Sequence, residues 1–254
     1  MNATNNIVVK PDRQKEKENK LVFSYMALRN LIGFLGMMLP LILIFATRAS
    51  EMSVVIEPSI SDYYYTNSGD LLVVTLCILG VFLFTYRGYD LMENILSSIA
   101  AIAATGVAFS PTATKIPGAT FSVHTLKFEV PEIFGIEIHA IFAALFFISL
   151  SIISLIYFPQ TDADPATGIK GTKKANRNVI YRTCGWIMLI CVVIMAVYFI
   201  SVRFKSLTGN FPFIFTMETI AVEAFALSWL TKGETFYPDG EHYVVTGYKK
   251  VFKY

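Results

Sequence analysis

Residues 134–158, FGIEIHAIFAALFFISLSIISLIYF, decide the fold class of this chain. An apolar run of this length crosses a bilayer as a helix, because about 20 residues rising 1.5 Å each span the hydrocarbon. Glu137 and His139 stand near its start. An ionisable side chain in hydrocarbon costs about 3 kcal/mol or more, so we expect these two residues to have polar partners, water or a functional role.

The composition of the whole chain agrees with a membrane protein. Hydrophobic residues make up 54% of the 254 residues and charged residues 16%, whereas soluble domains carry about 25% charged residues. The net charge is only +2, and its distribution gives no indication of nucleic-acid binding. Cys77, Cys184 and Cys191 lie in apolar segments, so we expect them to pack there and predict neither a disulfide framework nor a bound metal or cofactor.

Six apolar segments predict an all-α integral membrane protein with a bundle of six transmembrane helices. We place the spans at about residues 28–47, 71–89, 95–111, 134–158, 181–202 and 211–230. The bundle then covers residues 28–231, between a polar N-terminal arm (1–27) and a tail (232–254). The arm lacks the apolar core and cleavage site of a signal peptide, so we expect it to remain in the cytosol.

The lysine and arginine residues indicate the orientation of the bundle. With a cytoplasmic N-terminus, 16 of the 21 lysines and arginines face the cytosol and five face the other side. Because cytoplasmic loops carry an excess of these residues, we predict that both termini are cytoplasmic, in the inner membrane if the protein is bacterial. The outer loops are then 49–69, 112–132 and 203–210.

Two short β elements are predicted outside the spans. The second outer loop alternates around His124, which predicts short strands at residues 121–123 and 125–130. In the tail, Pro238-Asp239-Gly240 is a turn signal. It predicts a small cytoplasmic hairpin.

Polar residues of several segments fall at a similar depth on the outer side. At 1.5 Å per residue, His139 lies about 8 Å into the fourth span and Glu218 about 9 Å into the sixth. We predict that the polar residues near this depth line one outward-facing pocket: Ser59, Ser61, Asp62, Asp70, His139 and Glu218. The alternative is that His139 and Glu218 pair only to fix the packing of two helices, an interaction worth about 0.6–2 kcal/mol.

Glu223 belongs to the same sixth span but lies nearer the midplane, on a different helix face from Glu218. A carboxylate at this depth is costly unless it is protonated or hydrated. We therefore include Glu223 among the candidate ligand-binding residues.

These residues fit three functions. The first is the binding or handling of a lipid or small amphiphile in the outer pocket, with membrane lipids as partners. The second is an intramembrane lipid acyltransferase or hydrolase in which His139 is the general base and Glu218 or Asp62 orients it. The third is an oligomeric channel or membrane effector in which Glu223 lines a pore and the basic 159–182 loop and the tail receive a cytoplasmic signal. Homo-oligomerisation is left open.

Two more specific enzyme mechanisms have weaker sequence support. A serine nucleophile would be Ser59 or Ser61, but no glycine-flanked elbow surrounds either residue. A zinc hydrolase usually has three protein ligands. His124 and His139 with one carboxylate would supply them, but their spacing is not diagnostic.

Short motifs spread over residues 28–232 resemble those of the Frag/DRAM/Sfk group of six-span membrane proteins. The motifs are Ile60-Ser61-Asp62, Arg87 after the second span, a third span rich in small residues, His139-Ala140, Arg182 opening the fifth span, and Glu218. The chain departs from the group at Tyr63–Tyr65, where a glycine is usual, and in its long 112–132 loop. The resemblance implies a role in lipid handling, which the spacing of the residues does not itself show.

Overall fold

The computed structural model describes residues 20–51, 56–88, 90–112, 136–160, 173–233 and 235, and their side chains except those of 20–28 and 51. Most of these residues form helices. The α-helices are α1 (Lys20–Glu51), α2 (Gly69–Thr85), α3 (Leu91–Phe109), α4 (Ile138–Ile152), α5 (Lys173–Ile200), α6 (Val202–Thr208) and α7 (Phe213–Lys232). A 3-10 helix, Ser61–Tyr65, precedes α2, and a π-helical turn, Ile153–Tyr157, continues α4.

Five of these helices are long and apolar enough to cross a membrane: α1, α3, α4 with its π turn, α5 and α7. The predicted apolar helical bundle is confirmed to this extent. Helix α2 is apolar but has only 17 residues. The span predicted at residues 71–89, and with it the total of six spans, therefore remains a prediction. Helices α1 and α5 begin at Lys20 and Lys173, eight residues before the spans predicted for them.

The long helices pack side by side around a closed ring. Helix α7 packs between α1 and α5, while α2, α3 and α4 pack against one another in chain order. Contacts of α1 with α2 and of α4 with α5 close the ring. Large apolar side chains such as Phe45, Val81, Ile102 and Val193 are exposed on its outer surface, as expected where a protein faces lipid.

Small residues allow the helices to approach closely. A Cβ atom added at Gly33 of α1 would lie 2.7 Å from Leu230 Cγ of α7, and one at Gly36 would lie 3.2 Å from the Phe225 ring. The alanines of α3 are also buried against neighbouring helices: Ala100, Ala101, Ala103, Ala104 and Ala108. Contacts of this kind stabilise helix pairs in membranes, where packing replaces the hydrophobic effect as the driving force.

One end of the ring is closed by aromatic side chains around Trp229, which is 1% exposed. The ring centroids of Phe82, Tyr86, Phe158 and Phe225 lie 5.3–5.9 Å from that of Trp229. These residues come from α2, α4, α7 and their connections. We call this the Trp229 end of the bundle.

The predicted β elements fall outside the described residues. This holds for the strands at 121–123 and 125–130 and for the hairpin around Pro238-Asp239-Gly240. Both stay predictions, as do the structures of the arm before Lys20 and of the tail after Thr235.

Candidate functional site

Residues 58–68, which precede α2, fold into the other end of the bundle. In this segment Ser59, Ile60, Ser61, Tyr63 and Tyr64 are buried. The 3-10 turn is held by backbone hydrogen bonds from Asp62 N to Ser59 O and from Tyr63 N to Ile60 O. Ser59 Oγ accepts a second bond from Asp62 N at 3.0 Å. The segment is therefore a built part of the interior rather than a surface loop.

Hydroxyl groups attach this segment to α1. Thr47 Oγ1 of α1 lies 2.8 Å from Ser68 Oγ and 3.2 Å from Thr66 Oγ1, and all three residues are buried. Thr66 Oγ1 in turn donates to Tyr63 O at 2.8 Å. The position of the 3-10 helix is thus fixed from the side of α1.

His139 holds the same segment from the side of α4. Its Nε2 lies 2.7 Å from Ser61 Oγ, and its Nδ1 lies 2.6 Å from the carbonyl oxygen of Ser110 at the end of α3. A carbonyl oxygen only accepts hydrogen bonds, so Nδ1 carries the proton and donates to Ser110. Nε2 of the neutral ring is then an acceptor, and the Ser61 hydroxyl donates to it. His139 is 7% exposed, and both ring nitrogens are satisfied.

Glu218 holds the segment from the side of α7. Its Oε2 accepts from Ile60 N at 2.6 Å, and the backbone N–H of Ser61 also interacts with the carboxyl group. One turn earlier in α7, Phe215 N donates to Pro58 O at 2.8 Å. Two successive backbone N–H groups that point at one carboxylate form an anion-binding concavity. In this structure the carboxylate of Glu218 fills it.

His139 and Glu218 therefore meet through the 3-10 segment. Among the described residues no hydrogen bond joins the two side chains directly. Each binds one of two consecutive residues, Ile60 and Ser61. The direct His139–Glu218 pairing considered from the sequence is not the arrangement found.

Asp62 occupies the partly exposed side of this cluster. Its Oδ1 accepts from Thr112 Oγ1 at 3.4 Å, and Tyr65 Oη donates to Thr112 O. Burial and, after it, the nearby charges of Asp62 and Glu137 raise the pKa of Tyr65 to about 12. The phenol is therefore a neutral donor at physiological pH.

Asp70 lies in the first turn of α2 and is exposed. Burial and, after it, the charge of Asp70 raise the pKa of Tyr64 in the 3-10 helix. The structure thus gathers Ser59, Ser61, Asp62, His139 and Glu218 in one cluster, with Asp70 at its solvent-facing edge.

Glu223 lies apart from this cluster, in a groove farther along α7. The groove has a volume of about 340 Å³ and is bordered by Met37 of α1, Cys184 and Ile187 of α5, and residues of α7. Glu218 and Glu223 are five residues apart, so their side chains leave the helix on different faces. The depth argument from the sequence separated the two carboxylates in the same way.

Sequence reasoning missed Ser110, Thr112 and Tyr65. Ser110 acts through its backbone carbonyl group, which every residue has, and Thr112 acts through its carbonyl group and its hydroxyl. Ser110 precedes Pro111, and the residue before a proline tends to end a helix. The last carbonyl groups of a helix lack intrahelical donors. A helix that ends at Ser110-Pro111, at the same depth as His139, therefore could have indicated a carbonyl acceptor for the histidine.

The cluster has the parts of an activated hydroxyl group. Ser61 supplies a hydroxyl bonded to a histidine whose second nitrogen is oriented by a fixed acceptor, the Ser110 carbonyl. Among the described residues no group of three or more His, Cys, Asp or Glu side chains is placed to hold a metal ion. His124, part of the zinc alternative, lies outside those residues.

Comparison with known proteins gives no further assignment: no family model, curated protein or solved structure matches the chain.

Proposed function

We propose that this protein is a six-helix integral membrane protein with cytoplasmic termini that binds the polar headgroup of a lipid or small amphiphile at its outer end. The 17 residues of α2 extend about 26 Å at 1.5 Å each, close to the lower limit for a span. Helix α2 also fills the place between α1 and α3 in the ring. The resemblance to the Frag/DRAM/Sfk group supports a role in lipid handling.

The distribution of basic residues supports this orientation. Sixteen of the 21 lysines and arginines lie on the side of the Trp229 end in the predicted topology. The cluster of Ser61, Asp62, His139 and Glu218 then lies near the outer membrane surface. Apolar residues exposed on neighbouring helices, such as Phe45 of α1, would contact the acyl chains.

The observation that carries the binding proposal is the polar cluster itself. His139 of α4 and Glu218 of α7 each lie within hydrogen-bond distance of one short segment, at Ser61 Oγ and Ile60 N. Asp62 and Tyr65, on the partly exposed side, offer acceptor oxygens to a headgroup, since the one Tyr65 hydroxyl proton is donated to Thr112 O. A binding site commonly combines a few fixed polar groups with an apolar surface.

Lipid retention by the purified chain tests this proposal. We expect native mass spectrometry to detect lipid adducts on the wild-type protein and fewer on Asp62→Asn and Ser61→Ala. The matched control is Ser154→Ala, which removes a buried hydroxyl pair, Ser154 with Ser228 at 2.6 Å, from another part of the bundle. Equal retention by Ser61→Ala, Asp62→Asn and Ser154→Ala, all with wild-type elution in size-exclusion chromatography, would refute headgroup binding at the cluster.

A second function, acyl transfer or hydrolysis at Ser61, is favoured by one specific observation. The Ser61 hydroxyl donates to His139 Nε2 at 2.7 Å, and the Ser110 carbonyl fixes the tautomer that makes Nε2 a base. In such a reaction Ser61 Oγ would attack an ester carbonyl while its proton passes to His139, which then protonates the departing alcohol. The N–H groups of Ile60 and Ser61 would stabilise the oxyanion once Glu218 moves away from them.

Labelling with an alkyl fluorophosphonate separates the two functions. If Ser61 is a nucleophile, its oxygen displaces fluoride from phosphorus, and the labelled peptide contains Ser61. The label should be absent from Ser61→Ala and His139→Ala but present on Ser59→Ala. Wild-type protein that binds lipid yet takes up no label would support binding without catalysis.

A further inference from the structure

Helix α5 carries a line of exposed side chains along the outside of the bundle. Only 22% of its most apolar stretch is buried, the lowest share among the five long apolar helices of the described chain. Trp186, Val193 and Val197 are 58%, 61% and 49% exposed. At about 100° per residue, these side chains leave the helix within about 60° of Arg182, which is also exposed. We call this face, from Arg182 to Val197, the α5 stripe.

Arg182 lies near one end of the apolar part of α5. Ile200, the last residue of the helix, is 18 residues further on, about 27 Å at 1.5 Å per residue. The hydrocarbon of a bilayer is about 30 Å thick. The guanidinium group therefore lies near the level of the lipid phosphates when Ile200 lies near the opposite surface. Long basic side chains at this depth extend to the interface.

The guanidinium group of Arg182 is held by no other part of the described chain. Among the residues that the structure describes, neither Arg182 nor Asn178 and Trp186, one turn on either side of it, makes a side-chain hydrogen bond or ion pair. Ionisable residues of membrane helices usually face the interior of the bundle or a water-filled cavity. Arg182 faces outward instead, so its five donors are open to an acceptor outside the protein.

The charge of α5 favours an anionic acceptor. The helix has four basic residues at this end and no acidic residue along its length: Lys173, Lys174, Arg177 and Arg182. A guanidinium group binds phosphate oxygens through two parallel hydrogen bonds. Trp186 lies one turn deeper, at the level beneath the headgroups where the tryptophans of membrane proteins are enriched. In the predicted topology this is the cytoplasmic leaflet, which contains anionic lipids.

The neighbours of Arg182 on the helix indicate a lipid rather than a soluble anion or a second copy of the chain. Val179, three residues earlier, is 64% exposed, and Trp186 follows four residues later. A soluble anion would leave these apolar groups uncovered, whereas a lipid contacts them. Two copies that packed through this face would place their Arg182 side chains at equal depth, which the repulsion of like charges disfavours.

We propose that the α5 stripe binds an anionic phospholipid whose phosphate group accepts hydrogen bonds from Arg182 and Asn178. The acyl chain of this lipid lies along Trp186, Val193 and Val197. The site is at the end of the bundle opposite to the Ser61–His139 cluster, and it does not rest on the function proposed for that cluster. Phosphatidylglycerol is a suitable probe because it is anionic, and phosphatidylcholine with the same chains is its zwitterionic comparator.

The two tryptophans of the chain allow a direct test. Trp186 is exposed and Trp229 is 1% exposed, so a quencher in the lipid reaches Trp186. The full chain is placed in vesicles that contain both lipids, one of them carrying bromine atoms in its acyl chains, which quench tryptophan fluorescence on contact. At equal mole fractions we expect phosphatidylglycerol to occupy the site about fivefold more readily than phosphatidylcholine, the effect of one basic residue near a membrane surface.

Two outcomes in the wild-type protein would overturn the proposal. Equal quenching by both brominated lipids would mean that ordinary bilayer lipid covers the stripe. No quenching by either lipid would mean that protein covers it. Trp186→Phe should remove the lipid-dependent quenching, and quenching that persists in this variant would place the contact elsewhere.

Variants assign the preference to Arg182. Arg182→Gln should reduce the preference for phosphatidylglycerol from about fivefold to near equality, and Arg182→Lys should keep most of it because the charge remains. The matched control is Lys173→Gln, which removes a charge from the same end of α5. Lys173 is exposed but lies nine residues earlier, on the opposite face of the helix, so its loss should leave the preference unchanged. An equal reduction in both glutamine variants would show a diffuse attraction by the whole basic end and would overturn a site at Arg182.

Discussion

Ser61 and His139 are 78 residues apart in the chain, yet Ser61 Oγ lies 2.7 Å from His139 Nε2. The contact joins the 3-10 helix to α4, and through His139 Nδ1 it continues to the carbonyl end of α3. Three separate pieces of the chain are thus tied by one imidazole ring. The same ring that stabilises this end of the bundle gives the Ser61 hydroxyl its acceptor.

The first prediction concerns the energy of this contact. Ser61→Ala and His139→Ala should each lower the free energy of unfolding by about 1–3 kcal/mol, because each leaves a buried polar group without its partner. The double variant should be less unstable than the sum, with a coupling of about 1 kcal/mol. Chemical unfolding in detergent micelles gives the free energy of unfolding of the wild type, the two single variants and the double variant. Strictly additive losses would show that the two groups do not interact.

The apolar segments were predictable because the bilayer requirement acts on local sequence. The predicted fourth span, 134–158, matches Ile138–Tyr157, and the sixth, 211–230, matches Phe213–Lys232. Helix α5 starts earlier than predicted because Lys173, Ala175 and Arg177 continue a helix beyond the apolar part. Such residues have good helix propensity and no hydrophobic signal.

The residues of the site were predictable from the sequence, but their hydrogen-bond partners were not. Similar depth brought His139 and Glu218 together as candidates, and a partner for each was expected on energetic grounds. The partners are a serine hydroxyl, a backbone carbonyl and backbone N–H groups. Backbone groups carry no residue-specific signature, and nothing local to Ser61 indicates that its loop folds inward.

A second prediction concerns the close approach of α1 and α7. Gly33→Ala should lower the unfolding free energy by about 1–3 kcal/mol, because the new methyl group would lie 2.7 Å from Leu230 Cγ. Leu230→Ala removes the obstructing atoms. Gly33→Ala should therefore lower the unfolding free energy less in the Leu230→Ala background than in the wild-type protein. Thermal unfolding of the four proteins in one detergent gives the comparison. A loss from Gly33→Ala of equal size in both backgrounds would exclude this clash as the cause.

A third prediction concerns alkaline pH. Burial raises the pKa of Tyr65 from 10.0 to about 12, so the folded protein holds the phenol proton more tightly than the unfolded chain. The resulting stability is complete below about pH 10 and is lost as the pH rises toward about 12. Tyr65→Phe lacks this proton, so its melting temperature should fall less steeply with pH than that of the wild-type protein. The comparison covers about pH 9 to 11, around the tyrosine pKa of about 10 in the unfolded chain. Parallel melting curves for wild type and Tyr65→Phe would contradict the prediction.

The last prediction concerns topology. The distribution of lysine and arginine predicts that the N-terminus is cytoplasmic. Asn176 near the start of α5 and Ser206 in α6 are both exposed and lie at opposite ends of α5. In a background lacking Cys77, Cys184 and Cys191, Ser206→Cys should react with a membrane-impermeant maleimide on intact cells. Asn176→Cys should react only after permeabilisation, because the predicted cytoplasmic loop leads into it. Reaction of Asn176→Cys on intact cells with protection of Ser206→Cys would invert the topology, and the Ser61–His139 cluster would then face the cytosol.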